Sequence, residues 1–221
     1  MKKTLIITKI TKQKQNSKRY NIHVNDQYAF SVHEDVLIAK RLIKGKEITN
    51  EDIETILKEE EENKIWQKAI KYLSFRPRTR KELEKYLIAQ DYEQEMIQNV
   101  ILKLQAKKWL DDRRYAEEFV EEQIRLKPKG KKLIAQEMKR KGISSTYIQE
   151  SLSKINSETE YQMALELAKK KALQNRKEDW VTIQRKVGGY LRRKGFSYEI
   201  IWQILHDLKK DLSIDSDPDG A

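Results

Sequence analysis

Six apolar positions recur along the C-terminal two thirds of this chain at an almost constant spacing. The first copy consists of Leu83, Leu87, Tyr92, Ile97, Ile101 and Leu104. The second copy, 51 residues further on, consists of Ile134, Met138, Ile143, Ile148, Leu152 and Ile155. The third copy, a further 53 residues on, consists of Val187, Leu191, Phe196, Ile201, Leu205 and Leu208. Such self-similarity predicts a repeat protein in which each copy is one supersecondary unit.

Each copy has the spacing of two amphipathic helices joined by a tight turn. Gly142 and Gly195 mark the turn in the second and third copies, because glycine readily adopts the left-handed conformation that ends a helix. Asp91 stands at the same place in the first copy. A further apolar stripe precedes each pair, at Ile65–Leu73, Tyr115–Ile124 and Ala164–Ala172. Each unit is therefore predicted to contain three helices.

The first 33 residues alternate in the manner of short strands, with Asn25-Asp26 as a hairpin turn. A short helix is expected from Glu34 to Leu42, and Thr49 is expected to start a helix that runs toward Ser74, with Glu59–Glu62 as a solvated face. The predicted fold is mainly α: an elongated tandem array of three three-helix repeats, with a small N-terminal antiparallel β-sheet plus helix. The predicted segments are 1–63 for the N-terminal domain, 64–110, 111–157 and 158–210 for the repeats, and 211–221 for a flexible acidic tail.

The composition argues against an enzyme or a metalloprotein. Cysteine is absent, and the three histidines lack the spacing of metal ligands, so neither a metal nor another cofactor is expected. Asp111-Asp112 could be a metal-binding carboxylate pair, but its place before a predicted helix favours a capping role. No apolar run approaches the length that spans a bilayer. We therefore expect a cytosolic protein, outside the membrane, and acting as a monomer.

Two clusters of basic residues are the strongest functional signal in the sequence. The net charge is +11, and Arg76-Pro77-Arg78-Thr79-Arg80-Lys81 matches Lys127-Pro128-Lys129-Gly130-Lys131-Lys132 position by position in its bases and its proline. Cations near a helix start oppose the helix dipole, which favours a functional reason over an incidental solvated loop. The predicted anion-facing residues are Arg76, Arg78, Arg80, Lys81, Arg125, Lys127, Lys129, Lys131, Lys132, Arg192, Arg193 and Lys194. Six of them lie off the apolar stripe and at helix starts, and we expect their joint reversal to Glu to leave the fold intact: Arg76, Arg78, Arg80, Lys129, Lys131 and Lys132.

Aromatic residues near these clusters fit the hydrophobic core better than a base-stacking surface. They fall at or beside the apolar positions of the repeat, and they are Tyr86, Tyr92, Trp109, Tyr190, Phe196 and Trp202. The adjacent pair Gly188-Gly189 lies inside a predicted helix, where it is expected to allow a close helix crossing.

Several phrases of the sequence resemble the RecX family of bacterial recombinase regulators. They are Leu73–Leu83, which lies within a longer match at Ala69–Leu87, then Trp109–Ala116, Lys141–Ile143 and Tyr190–Ser197. Together they span residues 64–210, and they occur in the same order as in the family. Residues 1–63 add little to the likeness and resemble an accessory domain. The resemblance implies a regulator of DNA repair without catalytic residues. Its implied partner is the RecA recombinase filament on single-stranded DNA, whose ATP hydrolysis, strand exchange and coprotease activity it would lower.

Two other classes of function remain open on the sequence alone. One is a stand-alone protein that binds single-stranded or duplex DNA, for which the basic clusters suffice. The other is an enzyme with an unfamiliar site, although no acid, base, nucleophile or metal constellation can be nominated for it.

The register of the repeat can be tested at its middle copy. Ile148→Asp should lower the free energy of unfolding by several kcal/mol, because it would place an unpaired charge in an apolar core. Chemical denaturation measures the effect, and a variant that unfolds like the parent would show that the register is wrong.

Overall fold

The computed structural model describes residues 5–214, with side chains described as far as Lys210. Its strands are β1 (Leu5–Lys12), β2 (Arg19–Val24), β3 (Gln27–His33) and β4 (Glu47–Ile48). Its helices are α1 (Glu34–Ala39), α2 (Asn50–Ser74), α3 (Arg80–Ile88), α4 (Gln94–Ala106), α5 (Asp112–Arg125), α6 (Lys131–Arg140), α7 (Ser145–Leu152), α8 (Ser157–Leu173), α9 (Trp180–Arg193) and α10 (Tyr198–Ile214). The predicted acidic tail lies outside the described residues, except that the backbone of 211–214 continues α10.

The chain forms two compact units. Unit 1 comprises residues up to Arg78 together with Leu83–Leu110, and unit 2 comprises Thr79–Glu82 together with residues from Asp111 onward. The first turn of α3 thus belongs to unit 2, while the rest of that helix belongs to unit 1. Within the described residues, no helix is both long enough and apolar enough to cross a membrane.

The four strands of unit 1 form an antiparallel sheet in the order β3-β2-β1-β4. Asn25 and Asp26 both have positive φ, at 45° and 65°, which is the conformation of a tight hairpin turn, so the predicted hairpin is confirmed. The two-residue strand β4 was not predicted from the sequence. A strand of this length is too short to show alternation, and it forms by pairing with Leu5 and Ile6 of β1.

Helix α2 serves two hydrophobic cores, so the boundary predicted at residue 63 falls inside a continuous helix. Its start is fixed by a capping box between Thr49 and Asp52, in which the Thr49 N–H lowers the pKa of the Asp52 carboxyl. Ile56 packs into the core under the sheet, whereas Ile65 and Ala69 pack into the core of the first repeat. No glycine or proline interrupts α2 between these two faces.

One carboxylate of α2 is buried, contrary to the prediction that Glu59–Glu62 form a solvated face. Glu60 is 2% exposed and accepts a hydrogen bond of 2.7 Å from the backbone N–H of His33. Its other oxygen lies 2.7 Å from the guanidinium of Arg19 on β2. This ion pair ties the helix to the sheet, and long-range pairing of this kind leaves no trace in the periodicity of the sequence.

The three helical repeats have the predicted internal structure, which confirms the mainly α array with its N-terminal sheet. The six recurring apolar positions of each copy are buried, with three exceptions. Tyr92, Leu152 and Leu205 are half-buried and pack against the same cores. The turn between the second and third helices contains Asp91, Gly142 or Gly195, each with a φ between 59° and 86°. These values confirm the predicted left-handed turn residues.

The Gly188-Gly189 pair does not mediate a close helix crossing, so that prediction is wrong. A Cβ atom at Gly188 would lie 3.5 Å from Leu205 Cδ1, and one at Gly189 would lie 3.5 Å from the Arg193 guanidinium. Both are ordinary van der Waals distances. The packing of α9 within this chain therefore does not require either glycine.

The buried ion pair can be tested by removing its carboxylate. Glu60→Ala should lower the free energy of unfolding by about 3–5 kcal/mol, because the partly buried Arg19 would lose its partner. Glu61→Ala, on the exposed side of the same helix, should change it by less than about 0.5 kcal/mol. Urea denaturation of both variants gives the comparison, and equal midpoints would contradict a structural role for Glu60.

Candidate functional site

The first basic cluster lies between α2 and α3, and its side chains are held to different degrees. The guanidinium of Arg78 lies 4.2 Å from the ring centroid of Tyr72, which in turn stacks on Tyr86 at 4.0 Å. Arg78 is half-buried by this contact, whereas Arg76 and Arg80 are exposed. The cluster therefore contains one arginine that packs on unit 1 and others that face solvent.

The second cluster, around the start of α6, divides in the same way. Lys129 is half-buried and its Nζ lies 2.7 and 2.8 Å from the two carboxylate oxygens of Glu137. Lys127 is exposed and forms a 3.0 Å ion pair with Glu122. Arg125 and Lys132 are also exposed. Lys129 thus belongs to the framework of the repeat, which the sequence did not predict.

A contact between a helix start and a turn is made twice within unit 2, and we call it the helix-start contact. The backbone N–H of Gly130, before α6, donates to the Lys194 carbonyl in the α9–α10 turn at 2.9 Å. The hydroxyl of Thr79, before α3, donates to the Lys141 carbonyl in the α6–α7 turn at 2.7 Å. Thr79 and Gly130 are equivalent positions of the two matching clusters.

A carboxylate completes each helix-start contact. The backbone N–H of Arg80 donates to Asp112 at 2.8 Å, and that of Lys131 donates to Glu160 at 3.1 Å. Negative charge at a helix N-terminus is favourable, so these acids offset the unfavourable effect of the neighbouring cations. Burial raises the pKa of Asp112, and this outweighs the lowering by the Arg80 N–H. Part of the pattern shared by the clusters therefore has a structural cause.

Close packing accompanies the contact at both places. A Cβ atom on Gly130 would lie 2.2 Å from the Gly195 carbonyl oxygen, and one on Gly142 would lie 2.5 Å from the Lys81 side chain. Lys141 Nζ lies 3.1 Å from Glu82 and 5.5 Å from the Tyr115 ring centroid. Burial lowers the pKa of Lys141, but its interactions with Tyr115 and Glu82 outweigh this and raise the pKa overall.

The third cluster stands at the end of α9. Arg192 lies 5.4 Å from the ring centroid of Tyr198, Lys194 lies 5.7 Å from that of Tyr190, and Arg193 is exposed. Arg185, which was not among the predicted residues, stands 53 residues after Lys132 and is also exposed. Extending the repeat alignment from the apolar to the basic positions would have found it.

The prediction that the aromatic residues pack in the core is correct for some and wrong for others. Phe196 is buried, and Tyr86, Tyr92 and Tyr190 are half-buried in the repeat cores. Trp109 and Trp202, however, are 57% and 71% exposed. Trp202 follows the buried Ile201 by one residue, and one step along a helix turns a side chain by about 100° away from the buried stripe.

No group of three or more histidine or carboxylate side chains among the described residues is placed to hold a metal ion. Asp111 caps α5 by accepting the Arg114 N–H at 3.0 Å, which confirms the predicted capping role. His33 caps α1, accepting the Asp35 N–H.

Four models of one protein family match this chain. They describe the N-terminal domain of regulatory protein RecX at residues 5–49 and its first, second and third three-helix domains at 66–104, 111–152 and 158–205. Regulatory protein RecX of Bacillus cytotoxicus is 36% identical over 210 residues, covering 93% of this chain and 78% of the relative. The chain belongs to the RecX family. The same-named protein of Clostridioides difficile is 34% identical, with 92% of this chain and 95% of the relative covered.

Solved RecX structures support the fold. A crystal structure of regulatory protein RecX is 32% identical, with a TM-score of 0.79 over 92% of this chain and 99% of that one. A crystal structure of RecX from Lactobacillus salivarius is 31% identical, with a TM-score of 0.63 over 67% and 97%. Residues 5–49 match a RecX model of their own, so the prediction that residues 1–63 add little to the resemblance is wrong.

The helix-start contact can be tested with a matched pair of glycines. Gly130→Ala should lower the free energy of unfolding of this RecX protein by about 1–3 kcal/mol, because its Cβ would collide with backbone. Gly188→Ala should leave it unchanged or raise it by about 0.5–1 kcal/mol, since alanine favours a helix. Chemical denaturation measures both, and similar midpoints for the two variants would contradict the close packing at Gly130.

Proposed function

We propose that this RecX chain is a non-enzymatic inhibitor of the RecA recombinase, acting in the cytosol. It binds the recombinase filament on single-stranded DNA through the exposed cations of its helical repeats. Binding lowers ATP hydrolysis, strand exchange and coprotease activity, and so restrains DNA repair by recombination. The observation that carries the proposal is that exposed basic residues recur at equivalent places on a repeat that matches the RecX domains throughout.

The structure divides the predicted binding residues into two sets. Lys129 and Lys131 interact with Glu137 and Glu160, so reversing them would disturb the framework together with any binding surface. Arg76, Arg125 and Lys132 are exposed and lie outside the buried cores. The expectation that six cations of the two matching clusters could be reversed together without loss of fold is therefore not extended to Lys129 and Lys131.

Exposed cations of this kind suit an anionic partner in a specific way. Their charged groups are not buried, and clustered lysine and arginine attract either the phosphates of DNA or an acidic protein surface. A nucleoprotein filament offers both. Such contacts weaken with added salt, because screening shortens the reach of exposed charge.

Reversing the exposed set tests the proposal. The triple variant Arg76→Glu, Arg125→Glu and Lys132→Glu should keep the parental melting temperature but need at least about tenfold more protein to half-inhibit recombinase ATP hydrolysis on single-stranded DNA, because repulsion replaces attraction. A control variant carries the same change of charge at the exposed residues Lys44, Lys58 and Lys64.

The control should inhibit like the parent, which separates local contacts from the effect of net charge. Equal inhibition by the triple variant and the parent would reject these cations as the contact surface. Co-sedimentation distinguishes the alternative of a stand-alone DNA-binding protein: the parent should pellet with the recombinase filament more strongly than with bare single-stranded DNA.

A further inference from the structure

A groove runs between α9 and α10 of the third repeat, within unit 2. Its volume is about 510 Å³, and it is lined on one side by Arg185, Gly188, Gly189 and Arg192, among others. Tyr198 stands on the opposite side. The groove is thus open to solvent along a helix that lacks side chains at two successive positions.

The glycine pair is costly for α9 and is not needed by the protein's own packing. A glycine inside a helix is less favourable than alanine, because it loses more conformational freedom on folding. The equivalent positions of the other repeats are Glu84-Lys85 and Ala135-Gln136, all good helix formers. Because Cβ atoms at Gly188 and Gly189 would meet neighbours at ordinary distances, the pair leaves room that a ligand could use to approach the helix backbone.

The charge of the groove selects an anionic ligand. Among the described residues that line it, none is acidic and two are arginines. A second groove, in unit 1, provides a contrast, since three acids line it together with two lysines: Asp35, Glu59, Glu62, Lys103 and Lys107. The groove of the third repeat is therefore complementary to phosphate in a way that the other groove is not.

Two exposed aromatic rings continue this surface along α10. Tyr198 and Trp202 are 64% and 71% exposed, and their four-residue spacing places them on one face of the helix. The rings of Trp202 and His206 lie 5.6 Å apart, and Arg192 lies over Tyr198. The equivalents of Trp202 in the other repeats are Gln98 and Gln149, so the repeat fold does not demand an aromatic residue there.

We propose that this surface, defined by Arg185, Gly188, Gly189, Arg192, Tyr198 and Trp202, is a binding site for single-stranded nucleic acid. The arginines hold phosphates, and the exposed rings stack on unpaired bases. Interleaved cations and aromatic rings beside an open groove are the combination that sequence-tolerant single-strand binding uses. The proposal rests on the proposed function only in taking single-stranded rather than duplex nucleic acid as the ligand. Binding at this site requires no recombinase.

Fluorescence anisotropy of a labelled 20-nucleotide oligothymidylate, titrated with the full chain at low salt, tests the site. Trp202→Ala should weaken binding about tenfold, the loss expected for one base-stacking contact. Gln203→Ala, at the adjacent exposed position of α10, should bind like the parent. Arg185→Gln with Arg192→Gln should weaken binding and flatten its salt dependence.

A second variant separates binding from folding. The double substitution Gly188→Ala and Gly189→Ala should keep or raise the melting temperature while weakening oligonucleotide binding at least severalfold, because the added methyl groups fill the groove. A purely structural role for the glycines would have the opposite effect on melting temperature.

The outcomes separate this site from the proposed function. Parental oligonucleotide affinity in both the Trp202 and the double glycine variants would overturn the proposal, even if recombinase inhibition is confirmed. If the parent binds no oligonucleotide, and Trp202→Ala instead abolishes inhibition of ATP hydrolysis, the surface binds protein and the proposal is rejected. If Trp202→Ala abolishes oligonucleotide binding, and only the triple charge reversal abolishes inhibition of ATP hydrolysis, both the nucleic-acid site and the proposed function are supported.

Discussion

Unit 2 depends on a hydrogen bond from the start of one helix to the turn of the following repeat. Gly130 donates to the Lys194 carbonyl, and Thr79 donates to the Lys141 carbonyl. The acceptors stand beside Gly142 and Gly195, whose positive φ values bring the turns into this geometry. A side chain at Gly130 would collide with backbone, so the contact restricts which residues can occupy the helix start. Each three-helix repeat has a small core, and such contacts add stability that this core cannot provide alone.

The same contact explains why cations gather where a helix dipole would disfavour them. Asp112 and Glu160 accept the first N–H groups of α3 and α6, and they place negative charge at those helix starts. With this compensation, lysine and arginine can be retained there. Some, such as Lys129, then form ion pairs within the repeat, while others, such as Lys132, remain exposed.

The repeats share a core but differ on their surfaces. Trp202 in the third repeat replaces the glutamine of the first and second, and a glycine pair replaces residues that favour a helix. None of these changes improves packing, since Trp202 is exposed and Cβ atoms would fit at both glycines. The repeats thus keep the same buried positions while their exposed side chains differ, as in the groove of the third repeat.

The amino-acid sequence was enough to predict the number of repeats, their helices, the turns at Asp91, Gly142 and Gly195, and the family resemblance. Local periodicity and backbone preference encode these features, because neighbouring residues on a helix share a face and few residues adopt positive φ. Tertiary contacts, by contrast, bury Glu60, pair Lys129 with Glu137 and leave Trp202 exposed. Each of these outcomes depends on which distant groups meet a side chain, and a one-residue step on a helix is enough to move it from core to solvent.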